Sequence, residues 1–158
     1  MFEYCSSLIE INLGKFDYAL SNNFSHMFSG CENVEKLDVS YLNTNNSKSF
    51  ENMFHSCKKL KEINVSKFNS TNCKYISYMF YNCSSLESID MLNWNMKNIC
   101  NINKLFSGCL KLKNIKMNFN ININNKLSFE DIFYGLPEGT NRYELLKELP
   151  VSWNRTQE

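Results

Sequence analysis

Met79-Phe80-Tyr81-Asn82-Cys83-Ser84-Ser85-Leu86-Glu87-Ser88-Ile89-Asp90 is the stretch whose reading decides the fold. Its Met-Phe block, with cysteine three residues after the phenylalanine, also begins at Met1, Met27 and Met53, and as Leu-Phe at Leu105. The matching cysteines are Cys5, Cys31, Cys57 and Cys109, and the interval is always 26 residues. A fixed period in the range of about 20–50 residues marks a solenoid, in which each repeat is one coil stacked on the next.

Counted from the Met-Phe block, the eighth position reads Leu8, Val34, Leu60, Leu86 and Leu112. The eleventh reads Ile11, Leu37, Ile63, Ile89 and Ile115, and the thirteenth Leu13, Val39, Val65, Met91 and Met117. Apolar residues two apart predict a short strand with one buried face. A further apolar position follows at Phe16, Leu42, Phe68 and Trp94, then a polar turn such as Asn43-Thr44-Asn45-Asn46. In the rest of each coil the apolar residues are three and four apart. Phe24, Met27 and Phe28 recur as Phe50, Met53 and Phe54, as Ile76, Met79 and Phe80, and as Ile102, Leu105 and Phe106. That spacing predicts a short helix of about two turns, held by packing on the strand side of its coil. The expected architecture is an α/β solenoid, with a parallel sheet on one face and short helices on the other.

Toward the C-terminus the pattern loosens. The block at Ile132 comes 27 residues after Leu105, and Leu136 stands where cysteine is expected. Pro137-Glu138-Gly139 breaks the repeat; Asn141 and Glu144 have capping-box spacing, before Leu145, Leu146, Leu149 and Pro150. The expected organisation is a solenoid over 1–136, five coils plus a degenerate sixth, and a helical cap over 137–158. Phe119, Ile121 and Ile123 alternate within an asparagine-rich tract that fits a strand or an irregular loop equally well.

Composition narrows the function classes. Of 158 residues 43% are hydrophobic, and 17 basic against 16 acidic residues leave a net charge of +1. That balance gives no pull toward nucleic acid or an anionic membrane. No apolar run approaches the roughly 18 residues that span a bilayer. The N-terminus has no basic start or apolar stretch of a signal peptide. Met1 already stands at a repeat position, so the first coil is expected to lack a cap and the chain to be a fragment or a truncated gene product.

The segment 79–90 and its four counterparts, Met-Phe-x-x-Cys followed by Leu-x-x-Ile-x-Val, resemble a leucine-rich repeat. More narrowly they resemble the BspA-like repeats of bacterial and protist surface proteins, in the variant found in mycoplasma-type lipoproteins. The resemblance covers about residues 1–136. It implies a location at the cell surface or outside the cell, and a role in adhesion or host contact. A cytoplasmic or host-delivered protein is the alternative, because the chain shows no secretion or lipoprotein signal.

Seven cysteines invite a metal or disulfide reading. Zinc sites usually take cysteines about two to four residues apart, and no pair here is that close. The period-matched cysteines instead predict a ladder of buried thiols on neighbouring coils. Cys73 and Cys100 stand at the turn before the second half of a coil, where partial exposure is expected. His26 and His55 flank their Met-Phe blocks on opposite sides and read as surface residues. There is no phosphate-binding glycine loop, GxSxG or HExxH motif. No enzyme activity, cofactor or metal is expected.

The residues facing away from the core on the strands form the candidate site. They are Glu10 and Asn12, Lys36 and Asp38, Glu62 and Asn64, Ser88 and Asp90, and Asn114 and Lys116, with Tyr41 as an aromatic anchor. Stacking sets them side by side as a mixed-sign polar strip, which suits a protein partner better than a nucleic acid. The expected function is a non-enzymatic protein-interaction module acting through this strip. The alternative is a structural spacer, coils of a longer surface protein with no dedicated partner; a merely solvated sheet face fits that reading.

Overall fold

The computed structural model describes residues 1–14, 20–122 and 127–147, apart from the side chains of Tyr143 and Leu146. The chain winds as stacked coils. On the strand side, β1 (Glu10–Ile11) pairs in parallel with β2 (Lys36–Leu37), and β3 (Ser88–Met91) with β4 (Asn114–Met117). Registers run Glu10 to Lys36 and Ser88 to Asn114. A second line of parallel bridges joins Asn23 to Ser49, Ser49 to Tyr75, Tyr75 to Asn101 and Asn101 to Ser128. Its last step is one residue longer, at the insertion the sequence carries.

The hydrogen-bonded sheet is two short pieces, not one continuous ladder. Ile63 and Val65 are buried at the strand level of the third coil but lie in no named strand. That coil is tied in at its entry, where the Lys59 N–H donates to Glu32 O at 3.1 Å and the Glu87 N–H to Lys61 O at 3.1 Å.

The expected short helices are absent from the opposite side among the described residues. Each of these stretches is a run of tight turns with two residues of positive φ. One precedes the Met-Phe block (His26, Asn52, Tyr78, Lys104, Asp131) and one precedes the cysteine position (Tyr4, Gly30, Ser56, Asn82, Gly108, Gly135). The Met27 N–H returns to Phe24 O and the Cys31 N–H to Phe28 O, so the positive φ falls at the third residue of each turn, as in a type II turn. Other N–H groups leave the coil. Phe24, His26, Phe28 and Gly30 donate to Ser49, Glu51, Met53 and His55 of the next coil at 2.7–3.0 Å. A helix would direct the Phe28 N–H to Phe24 O; here it is already spent on Met53 O. Sequence spacing placed the apolar residues on the correct side, but it did not show that their backbone bonds run between coils.

The core lies between the two sides. The eleventh and thirteenth positions of every coil are buried, from Ile11 and Leu13 to Ile115 and Met117. Leu8 is 37% exposed on the outer end of the first coil, while Val34, Leu60, Leu86 and Leu112 are fully buried between coils. Leu42, Phe68 and Trp94 are buried, and Phe16 lies outside the described residues. Phe2, Phe28, Phe54, Phe80, Phe106 and Phe133 stack into one column with centroids 5.5–6.2 Å apart and planes within 11°. Each such contact adds about 0.5–1.5 kcal/mol beyond area burial.

At the C-terminal end, Thr140 Oγ1 donates to Leu112 O at 2.8 Å, and the Asn141 N–H donates to Lys113 O. The Asn141 side chain both accepts from the Ile115 N–H and donates to Ile115 O. The side chain expected to cap a helix is therefore spent on the free edge of β4, standing in for another strand. α1 (Arg142–Lys147) follows and buries Leu145. The Leu146 side chain, Leu149 and Pro150 lie outside the described residues, as does Ile123 of the asparagine-rich tract. Phe119 of that tract is buried beyond β4, in no strand.

Candidate functional site

The strand alternation that buries Leu37 and Val39 turns Lys36 and Asp38 outward, and each coil repeats the arrangement. Glu10, Asn12, Glu62, Asn64, Ser88, Asp90, Asn114 and Lys116 are all exposed, as is Tyr41 at 60%. A shallow groove of about 710 Å³ crosses this face from the second coil to the fifth. Lys36, Asp38, Glu62 and Asn64 line one half, and Ser88, Asp90, Asn114 and Lys116 the other. Glu10, Asn12 and Tyr41 stand outside it.

The strip divides into two rows with different duties. In the outer row, Asn12, Asp38, Asn64 and Asp90 each accept the backbone N–H two residues on, at Gly14, Ser40, Ser66 and Leu92, over 2.9–3.1 Å. These closures turn the chain out of the strand. Asn64 also accepts the Ser66 hydroxyl at 2.7 Å. The Ser40 hydroxyl and N–H, with Lys67 nearby, hold the Asp38 carboxyl below the usual range. Only the fifth coil departs, with Lys116, whose ammonium lies 3.8 Å from Asp90. The inner row is Glu10, Lys36, Glu62, Ser88 and Asn114.

Beside the inner row runs another that the sequence reading did not single out: Glu35, Lys61, Glu87 and Lys113, all exposed. Their coils are tied by N–H donation from Glu87 to Lys61 O and from Lys113 to Glu87 O, both 3.1 Å. The sequence signal was the strict alternation of sign at the repeat interval.

The cysteines take the buried ladder's place. Cys31, Cys57, Cys83 and Cys109 donate through sulfur to the carbonyls of Phe2, Phe28, Phe54 and Phe80 of the preceding coil, over 3.0–3.3 Å. Burial pushes the Cys31 thiol up to about 11 and the Cys109 thiol up to about 12, away from thiolate chemistry. Cys5 and Cys100 are partly exposed, but Cys73 is fully buried and pushed up to about 12, because its side chain takes the inward slot held by Ser47 and Ile99 on adjacent coils. All seven thiols are free. His55 stacks on Tyr81 at 5.1 Å, with its pKa lowered by burial, while His26 Nδ1 lies 3.1 Å from Glu3. Cys57 and His55 thus face different partners. Among the described residues no group of three His, Cys, Asp or Glu is placed to hold a metal ion, and no helix is long and apolar enough to cross a membrane.

A family profile described as "Mycoplasma protein of unknown function, DUF285" matches residues 1–119 and, overlapping, 61–140. No curated protein matches the chain. Among solved structures the chain is similar to the crystal structure of the T. pallidum leucine-rich repeat protein TpLRR, at 20% identity and a TM-score of 0.45, over 95% of this chain and 74% of that one.

Proposed function

The chain belongs to the family described as Mycoplasma protein of unknown function, DUF285, and from that premise we propose that it is a non-enzymatic protein-interaction module that binds through its strand face. The observation that carries this reading is the groove of about 710 Å³ over coils two to five, walled by exposed polar side chains above Leu37, Ile63 and Ile89. Stacked repeats offer such extended faces to macromolecules. Within the strip, Lys36, Glu62, Ser88 and Asn114 are the contact row; Asp38, Asn64 and Asp90 are partly committed to turns. Tyr41 is an accessory anchor at the strand exit. The BspA-like resemblance supports a setting at the cell surface, in adhesion or host contact. Residues 1–136 are the repeat unit in this reading, and 137–158 the cap whose Thr140 and Asn141 close the edge of β4.

The test is capture of solubilised cell-surface proteins on the immobilised folded chain. The wild type is compared with the charge reversals Glu62→Lys and Asp90→Lys. Loss of a captured protein in the reversals supports the strand face; capture indifferent to both removes it. The second reading, spacer coils with no dedicated partner, is favoured by the regular turn closures of Asn12, Asp38, Asn64 and Asp90, which tie these side chains to the fold. It predicts no specific capture by either form.

A further inference from the structure

The exposed row Glu35, Lys61, Glu87 and Lys113 alternates in sign from coil to coil at the rim of the strand face, one residue before the inner row and outside the lining of the groove. None of the four takes part in the ion pairs that the described residues form. A partner of one sign, such as a nucleic acid, would meet repulsion at every second coil. An extended peptide offers same-side residues about 6.6 Å apart, which falls out of step with coils about 4.8 Å apart. A stack of strands has the matching interval, and a second copy of this chain carries both the interval and the alternation.

Deepening the strand-face reading, on which it rests, we infer that this face pairs with the same face of a second copy about a two-fold axis. The axis lies parallel to the strands, midway between the third and fourth coils, over the centre of the groove. This operation keeps each row opposite itself and reverses the order of coils. Lys61 then faces Glu87 of the other copy, Glu35 faces Lys113, and Asp38 faces Lys116, each contact made twice. In the inner row Glu62 meets Ser88 and Lys36 meets Asn114, so no like charges are opposed. Two sheet faces pack about 10 Å apart, a gap that lysine side chains bridge. The contact is polar and wet, so the association is weak and salt-sensitive.

Analytical ultracentrifugation of the full chain over a concentration series, at low and high salt, tests this. The wild type is expected in a monomer–dimer equilibrium at low salt that shifts to monomer at high salt. Lys61→Glu or Glu87→Lys alone is expected to weaken it by about tenfold or more, with melting lowered only slightly, because both side chains are exposed although each reversal sets three like charges side by side. The double variant K61E/E87K restores the pairing across the axis and the wild-type equilibrium. A chain monomeric at every concentration overturns the second-copy inference and leaves the strand-face reading to its own capture experiment. A dimer indifferent to both single reversals overturns the inference and takes this face out of self-association.

Discussion

The thiol of Cys83 donates to the carbonyl oxygen of Phe54, one coil back, at 3.0 Å. The same carbonyl receives the Cys57 N–H at 3.1 Å from within its own coil. Cysteine at this position therefore fills a small buried space and also supplies a donor across the coil boundary. The phenylalanine column and the thiol ladder are thus one interlocked device.

Substituting the ladder tests that pairing. At Cys57, fully buried and 3.3 Å from Phe28 O, serine keeps a donor but carries it on a shorter bond, leaving the hydroxyl badly paired in an apolar site. Cys57→Ser is expected to cost about 1–3 kcal/mol, read as a lowered denaturant midpoint. An unchanged midpoint would remove the ladder from the stabilising core.

Burial also predicts a pH response. Cys31, Cys73 and Cys109 keep their protons from the ordinary value of 9.0 up to about 11 or 12 in the folded chain. Between those limits the unfolded chain loses protons that the native chain retains, so stability falls as pH rises. The contribution is complete below pH 9.0 and declines through the window that ends at about 11 to 12. Urea melts over this range should show the decline, and Cys109→Ala should reduce it relative to wild type. At neutral pH a thiol reagent should modify Cys5 and Cys100 quickly and the other five only on unfolding.

The phenylalanine column should behave as a gradient from end to centre. Phe54 is fully buried between Phe28 and Phe80, whereas Phe2, in the first coil, stacks on Phe28 and is half-buried. Phe54→Ala is expected to cost about 3–5 kcal/mol, and Phe2→Ala markedly less. Equal losses in thermal melts would mean that the coils do not share one stacked core.

How much of this was legible in the sequence follows from what each interaction depends on. The interval between Cys31, Cys57, Cys83 and Cys109 and the alternation around Ile89 are set by side-chain patterning, and so could be read directly. The spacing at 24–31 predicts a helix where the chain forms turns, because Phe24, Met27 and Phe28 share one side in either conformation; what separates them is where the Phe28 N–H goes. A hint was present in Gly30, Asn52, Asn82 and Gly108, residues that tolerate positive φ, at the junctions of each turn. The alternation around Leu37 and Ile89 makes the exposure of the strip residues legible, but the closure of Asp38 on Ser40 and of Asn64 on Ser66 depends on backbone direction after the strand level. The alternation of Glu35, Lys61, Glu87 and Lys113 was in plain view and acquires meaning only when the coils are stacked.

Ser47 marks a defect that the fold tolerates. Its hydroxyl is fully buried and has no hydrogen-bond partner, at the level where later coils carry Cys73 and Ile99. Ser47→Cys or Ser47→Ala removes an unpaired polar group and is expected to stabilise by about 1 kcal/mol. A loss of stability in both would show that the hydroxyl is paired in solution.

The positive-φ positions give a test in two opposite directions. Gly108 has φ +78°, and a β-carbon there would meet the end of the Asn82 side chain, which can move aside. Gly108→Ala is therefore expected to cost chiefly the left-handed backbone conformation, about 1–2 kcal/mol. Ser56 occupies the same turn position two coils earlier, with φ 58°. There the left-handed conformation already costs about 1–2 kcal/mol for a residue with a side chain, and Ser56→Gly relieves it at about 0.5–1 kcal/mol of extra unfolded-state entropy. The net expectation is no loss, and a gain of up to about 1 kcal/mol, in denaturant titration. If instead a helix formed in solution, glycine at 56 would destabilise and alanine at 108 would stabilise, reversing both signs.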